Sequence, residues 1–285
     1  MNILTFDIED WYNCDFISQD FNWDKFEVRI YEGLDRILEE LEKRGLMGTF
    51  FCLGWVAEKH PEVIRSIHRG GHHIGCHSYQ HELSFRFDRS GFLKDTEKSK
   101  KLIEDLIGEP VNAFRAPGFS ITENNIWALE VLAELGFEYD CSIFPAAHDY
   151  GGFASFGKGE PAKLLLPNGA SLKEFPINIQ KALGQNIVFS GGGFFRLFPY
   201  PLIRRWTKNS SYVMTYFHTR DFDPGQPMIQ SLPWMRKFKS YVGLKTSFAK
   251  FQHYLDDFEF VNVQQANELV DWAKARELRL DKNCR

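Results

Sequence analysis

The sequence lacks most of what would take it outside ordinary globular chemistry. It has no apolar run of membrane-spanning length. Its opening, Met1-Asn2-Ile3-Leu4, is not a basic segment leading into an apolar stretch and a small-residue cleavage site. The expectation is a cytoplasmic protein that is not exported and has no membrane span. CxxC pairs are absent: Cys14, Cys52, Cys76, Cys141 and Cys284 are odd in number and scattered, which excludes a disulfide framework and leaves reduced thiols. There is no acidic tail and no basic stripe. The net charge of −4 has both signs spread along the chain, an argument against nucleic acid or an anionic membrane surface as partner and for a neutral or small polar substrate. Internal repeats and linkers are also missing. With 285 residues, 44% of them apolar, the chain can bury a full core, and a single domain over 1–285 is expected.

What is present alternates between two periodicities. Met1 to Phe6 reads as a buried strand. After an aromatic loop, Tyr31 to Arg44 carries Leu34, Ile37, Leu38 and Leu41 in helical register, closed by Gly45. Thr49 to Leu53 is a second strand, Ala57 to Arg69 a second helix with Pro61 near its start, and Ile74 to Cys76 a third strand. Leu93 to Ile107, Val111 to Arg115, Glu123 to Leu135 and Tyr139 to Phe144 continue as helix, strand, helix, strand, and Tyr212 to Phe217 is a late strand. Repeated β-then-α calls for a parallel sheet with crossover helices, open or closed into a barrel. Around 150–200 the pattern loosens into an irregular insertion whose Gly191-Gly192-Gly193 suggests a tight turn.

In such folds chemistry gathers at the carboxyl ends of the strands, and the unusual residues fall there. Asp7-Ile8-Glu9-Asp10 closes the first strand, where acids are costly unless something cationic meets them. His77 and His81 stand four apart just past the third strand. If that segment turns helical, both imidazoles reach one cation, with a third ligand from the opening acids. Cys76 points away from His77 by strand periodicity and reads as a core thiol. His72 and His73, beside Gly71, read as turn residues, with His73 facing solvent.

Thr-Phe-Asp-Ile-Glu-Asp at 5–10, His-Ser-Tyr-Gln-His at 77–81, Arg-Ala-Pro-Gly at 115–118, Asp140 and Tyr-Phe-His at 216–218 resemble the five ordered motifs of the polysaccharide deacetylases. This is carbohydrate esterase family 4, with the NodB homology domain. The resemblance runs from Met1 to about Phe260. It is closest to a branch found with exopolysaccharide and surface-glycan biosynthesis, through Asp-x-Glu-Asp-Trp, Arg-Ala-Pro-x-Phe-Ser, Ser-Ile-Phe-Pro, Gly-Gly-Gly-(aromatic)-Phe-Arg and a late Asp-Phe-x-Phe.

The resemblance implies a distorted (β/α) barrel of about seven parallel strands and a hydrolase that removes N-acetyl groups from an amino sugar in a polysaccharide or glycan precursor. It implies a divalent metal, usually Zn2+, held by His77, His81 and one carboxylate. Strand periodicity puts 7 and 9 on one face, so Asp7 is the expected base and Glu9 the ligand, with Asp10 as fallback. His218 is the expected acid toward the leaving amine, Arg115 the residue that aims Asp7, and Asp140 the carboxylate that orients His218. The Gly118 amide is expected at the oxyanion, and Trp11 and Phe194 against the sugar.

After His218 the branch has Pro-Trp-Glu where this chain has Thr219-Arg220-Asp221, which implies an altered apolar wall beside the acid. Two rival readings are a barrel hydrolase acting on a small cyclic amide or other non-peptide C–N bond, and a non-catalytic glycan-binding protein.

Overall fold

A computed structural model of the chain describes residues 1–13, 20–147, 150–182 and 184–281; Cys14 and Cys284 lie outside the described residues. The first strand of the main sheet, β1 (Thr5–Ile8), is buried at every position, as a parallel strand covered on both faces must be. α1 (Ile30–Arg44) follows, burying Ile30, Leu34, Ile37 and Leu41 on one stripe. It stops at Gly45, whose φ of 61° lets its N–H return to the Leu41 and Glu42 carbonyls.

β2 (Thr49–Cys52) leads into two helices where the sequence suggested one. α2 (Gly54–Lys59) ends at His60, and α3 (Pro61–Arg69) restarts at the proline. Proline fits a first helical turn but cannot continue a helix already running. β3 (His73–Cys76) and α4 (Arg89–Ile107) come next. α4 begins a turn earlier than its apolar pattern, because Asp88 caps it by accepting the Gly91 amide at 2.6 Å. The alternation closes with β4 (Ala113–Phe114), α5 (Trp127–Glu134) and β5 (Tyr139–Asp140).

Past residue 150 come β6 (Ala162–Leu165) and β7 (Ser171–Glu174), then a short antiparallel pair, Gln180–Ala182 with Gln185–Ile187. α6 (Gly192–Leu197), α7 (Tyr200–Lys208), β8 (Phe217–His218), α8 (Trp234–Tyr241), α9 (Leu244–Asp257), α10 (Val263–Leu269) and β9 (Arg276–Arg279) complete the chain. The strand expected over 212–217 is divided: Val213–Met214 pairs with Asn2–Ile3, while β8 pairs with β1.

The main sheet has the order β8-β1-β2-β3-β4-β5-β7-β6-β9. From β8 to β7 every pairing is parallel; β6 then runs antiparallel to β7. Those seven parallel strands are the expected α/β barrel set, in one domain. Phe50 and Phe51, consecutive on β2, fall in different apolar clusters, as a period of two requires. Phe50 packs outward with Phe6, Leu34 and Phe217, beneath helices α1 and α9; Phe51 packs inward with Ala113, Phe119 and Phe175. Asp7 is the register partner of both Phe51 and His218, so it shares the inward face and stands where the inner cluster opens at the strands' carboxyl ends.

Gly33 sets how closely α1 approaches that opening. A Cβ there would lie 1.9 Å from the Thr219 carbonyl oxygen, a backbone atom in the turn after His218. Gly33→Ala should therefore lower the thermal midpoint. Overpacking costs about 1–3 kcal/mol, more than the ~1 kcal/mol alanine gains in helix propensity. A midpoint equal to or above the native one would show that the turn yields freely.

Candidate active site

Asp7, Glu9, His77, His81, Arg115 and His218 meet at the carboxyl ends of β1, β3, β4 and β8. The Arg115 Nη1 donates to Asp7 Oδ1 at 2.8 Å, both groups buried, and its guanidinium lies 4.3 Å from the Phe51 ring centroid. The Arg115 carbonyl meanwhile holds His77 Nδ1 at 2.7 Å, leaving the other ring nitrogen to face the site. Burial pushes the His77 imidazole down to about 4, so it stands neutral. Glu9 Oε2 lies 2.6 Å from His81 Nε2. Burial would raise the Glu9 carboxyl, but His81, His218 and His77 outweigh it and hold the group below the usual carboxylate range.

The two histidines converge without a helix, a correction to the expected geometry. Residues 77–83 are irregular, and Ser78 and His81 both take left-handed φ values, 65° and 58°. Non-glycine residues hold that conformation only when their surroundings dictate it. Here the leading amides of α2 do so: Gly54 and Trp55 N–H donate to the Ser78 and Tyr79 carbonyls at 2.9 Å, giving partners to the helix-start donors that Leu53 cannot cap. Ser99 Oγ on α4 also donates to the Ser78 carbonyl, and Asp95 on the same helix accepts the Tyr79 amide. Gly54 makes this possible, since a Cβ would meet Ser99 at 2.7 Å.

His218 faces the cluster from β8, with Nε2 3.8 Å from Asp7 Oδ2 and 3.9 Å from Glu9 Oε1. Its orienting carboxylate is Asp221, and the expectation of Asp140 is corrected. Asp221 Oδ2 lies 3.1 Å from His218 Nδ1 and accepts the His218 backbone amide at 2.9 Å; its other oxygen is 3.0 Å from Arg196 Nε. Burial would lower the His218 imidazole, but Asp221, Glu9 and Asp7 raise it to about 9, which keeps it charged.

Asp140 instead faces Glu174, its register partner on β7, with both side chains fully buried. It accepts from Ser142 Oγ at 2.5 Å. Burial raises both carboxyls, and the Asp140 charge raises Glu174 further. Two such groups side by side cannot both ionise in a dry interior, and β5 does not adjoin β8. The signal for Asp221 was in the sequence as His-x-x-Asp at the start of a turn, where the two residues form a reciprocal cap.

The stretch after His218 is polar, so the wall beside the acid is altered. Thr219 Oγ1 donates to the Glu9 carbonyl at 2.6 Å, Arg220 Nη2 to Gln226 Oε1 at 2.8 Å, and Gln226 Nε2 to the Arg220 carbonyl at 2.7 Å. Asp10, the fallback ligand, turns away: its carboxylate accepts the Trp11, Arg29 and Ile30 amides, supplying the cap α1 lacks at Arg29. Trp11 is corrected as well. It is buried, donates Nε1 to the Glu27 carbonyl, and packs edge-on against Tyr12 and Phe26, so it offers no face to a sugar. His73 does not face solvent but is partly buried between Thr49 and Asn112. Cys76 is a core thiol, its Sγ on Ser99 and its pKa pushed up to about 12 by burial.

Phe194, 44% exposed, stands on α6, whose Gly192 adjoins Tyr216 and His218. Gly118 sits in a left-handed turn, φ 60°, directly after Arg115-Ala116-Pro117.

The donor set suits a divalent cation. Glu9, His77 and His81 each bring a ligand atom within 4.8 Å of the others. The carboxylate is anionic, the buried His77 imidazole is neutral and its second nitrogen is anchored on a carbonyl, the pattern of a histidine prepared to ligate.

Residues 4–139 match the family model described as polysaccharide deacetylase. These residues carry a polysaccharide deacetylase domain. Residues 141–268 match a second model, a domain of unknown function (DUF3473). Among curated relatives, a peptidoglycan-N-acetylglucosamine deacetylase of Bacillus cereus is 32% identical over 96 residues, 33% of this chain and 35% of the relative. A peptidoglycan deacetylase of Helicobacter pylori is 32% identical over 39% of this chain and 37% of its own length. The matched region thus spans about a third of these relatives. A solved structure from Mycobacterium smegmatis, assigned to the polysaccharide deacetylases, superposes with a TM-score of 0.67 at 21% identity, covering 99% of this chain and 93% of that one. It shares the barrel fold.

Within this deacetylase-family domain the supporting carboxylates are as informative as the central ones. Burial pushes the Asp95 carboxyl from 3.8 up to about 6, against the pull of the Tyr79 and Gln80 amides it accepts. The folded state therefore binds more protons than the unfolded chain between those values, so this group's contribution to stability falls as pH rises through the window and its cost is complete above it. Asp95→Asn keeps an acceptor for the Tyr79 amide and should flatten the slope of unfolding free energy between about pH 4 and about pH 6. Denaturant titrations across that range test it; an unchanged slope would show that Asp95 does not titrate there.

Proposed function

We propose that the chain is a metal-dependent hydrolase that removes N-acetyl groups from an amino sugar in a polysaccharide or glycan precursor, within surface-glycan biosynthesis. The observation that carries this reading is the convergence just described. An arginine-held carboxylate and a charged imidazole face each other beside a Glu-His-His donor set. The motif order along the chain and the names of the curated relatives support it. A divalent ion, zinc by its preference for nitrogen and carboxylate donors, would be held by Glu9, His77 and His81 and would supply Lewis acidity toward water and an acyl oxygen.

The chain's own residues supply the proton chemistry. Asp7, fixed at one oxygen by Arg115, presents Oδ2 to accept the proton of the attacking water. As the acyl carbon becomes tetrahedral, the Gly118 amide, in the left-handed turn that follows Arg115-Ala116-Pro117, is assigned to the oxyanion. His218 then gives its proton to the departing amine, while Asp221 keeps the ring charged and aimed. One water is consumed, the C–N bond breaks, and acetate and a free amine leave.

Acetate release from a panel of N-acetylated sugars, polymeric and precursor, tests the proposal. Turnover should vanish with a chelator and return with zinc. Asp7→Asn and His218→Gln should each lower the rate by about 10²–10⁴, with metal content retained. Sugar binding that survives Asp7→Asn with no turnover under any metal would identify a glycan-binding protein. Chelator-insensitive opening of a cyclic amide without acetate would identify the rival hydrolase.

A further inference from the structure

The whole-chain charge conceals a strong asymmetry. Residues 175–255 hold eleven cations (Lys and Arg) and two acids, Asp221 and Asp223; with 34 cations and 38 acids in all, the rest of the chain has 23 and 36. One stretch is therefore +9 and the remainder −13. Both acids of the basic stretch are buried and neutralised, Asp221 by Arg196 and Asp223 by Arg29. Arg196 and Arg220 are themselves buried and Arg204 pairs with Asp257 from outside the stretch; the remaining cations leave its exposed part with an excess of positive charge.

The same stretch exposes large apolar side chains. Trp234 is 74% exposed and Met228, Met235, Phe238, Phe194 and Leu197 are all open to solvent. They form one face. Arg196 on α6 donates to the Ser240 and Lys239 carbonyls of α8, and the Tyr241 hydroxyl ties α8 to the strand of chain at Met228, donating to Pro227 and accepting from Ile229. At 3.6 residues per turn, Trp234, Met235 and Phe238 share one side of α8, with Lys237 and Lys239 flanking it on either edge.

We propose that this α6–α8 face docks the protein on an anionic lipid surface. Tryptophan, phenylalanine and methionine in one stripe with lysines at its margins is the composition of a helix that lies in the headgroup region. A second copy is disfavoured, because self-docking would set cationic faces against each other. A polyanionic sugar or nucleic acid would leave Met235 and Leu197 without a role. The expectation that no anionic membrane surface is involved took both signs to be spread along the chain, and residues 175–255 depart from that spread. No helix among the described residues is long and apolar enough to cross a membrane, so the attachment is peripheral. Arg196 connects it to the site, touching α8 at one end and Asp221 at the other. Docking of this kind stands whether or not the site turns over.

Sedimentation of the full chain with vesicles tests it. Phosphatidylcholine vesicles containing about one-third phosphatidylglycerol should bind the protein at least about tenfold better than phosphatidylcholine alone, with the difference shrinking as salt rises. Trp234→Glu with Phe238→Glu should lower that binding about tenfold or more at an unchanged circular dichroism spectrum. Lys237→Gln with Lys239→Gln, which leaves the apolar stripe intact, should remove most of the preference for anionic vesicles and serves if the first variant misfolds. Equal binding to both vesicle types, or native binding by either folded variant, would overturn the proposal. So would a stable dimer that the Trp234→Glu, Phe238→Glu variant dissociates.

Discussion

The Asp7–Arg115 ion pair is almost wholly buried, and the rest of the site is arranged about it. Arg115 carries its guanidinium between the Phe51 and Phe119 rings, donates Nε to the Cys141 carbonyl, and takes its own amide's partner from Cys76. Its carbonyl fixes His77. One residue thereby sets the aim of the proposed base, the tautomer of a proposed ligand, and the register between β3 and β4. Removing either member of such a buried pair would strand the other's charge, which is strongly destabilising; Arg115 Nη2 is already buried without a hydrogen-bond partner.

Around that pair the structure spends strain on a loop and recovers it from helix termini. Ser78 and His81 sit in backbone conformations that side chains disfavour, and the amides that hold them there belong to a helix start with no cap of its own. Asp10 performs the same service for α1 from a distant position in the chain. In each case an unsatisfied helical donor and a residue flanking the site solve each other's problem, so the active-site rim and the helix packing are one hydrogen-bonded system.

How much of this was legible depended on whether the signal was local. β1, α1 and their caps follow from period and glycine, and the shared face of Asp7 and Glu9 follows from the two-residue repeat of a strand. The meeting of His77 with His81 was legible as a spacing but not as a conformation, because the left-handed residues are imposed by α2 and α4 rather than by their own side chains. The expectation of Asp140 at His218 rests on the resemblance and on its place in a strand. Only the fold shows that Glu174 lies opposite it and that both carboxyls are buried and raised. Trp11 reads as an aromatic near a rim until Tyr12 and Phe26 close over it. The altered stretch after His218 had no predictable partner, since Gln226 and Glu9 meet it only through the turn.

The sheet passes through residue 140 without interruption: β5 ends there, and β7 and β8, from the region matched by the uncharacterised family, flank strands of the region matched by the deacetylases. Glu9, His77 and His81 lie on one side of that dividing line, while His218 and the carboxylate that steers it lie on the other. Neither segment, expressed by itself, would contain a complete set of reacting groups or a sheet with both its neighbours. Recombination or truncation at the family boundary would cut through a single machine, and a genome encoding the first half alone would encode a different protein, not a smaller version of this one.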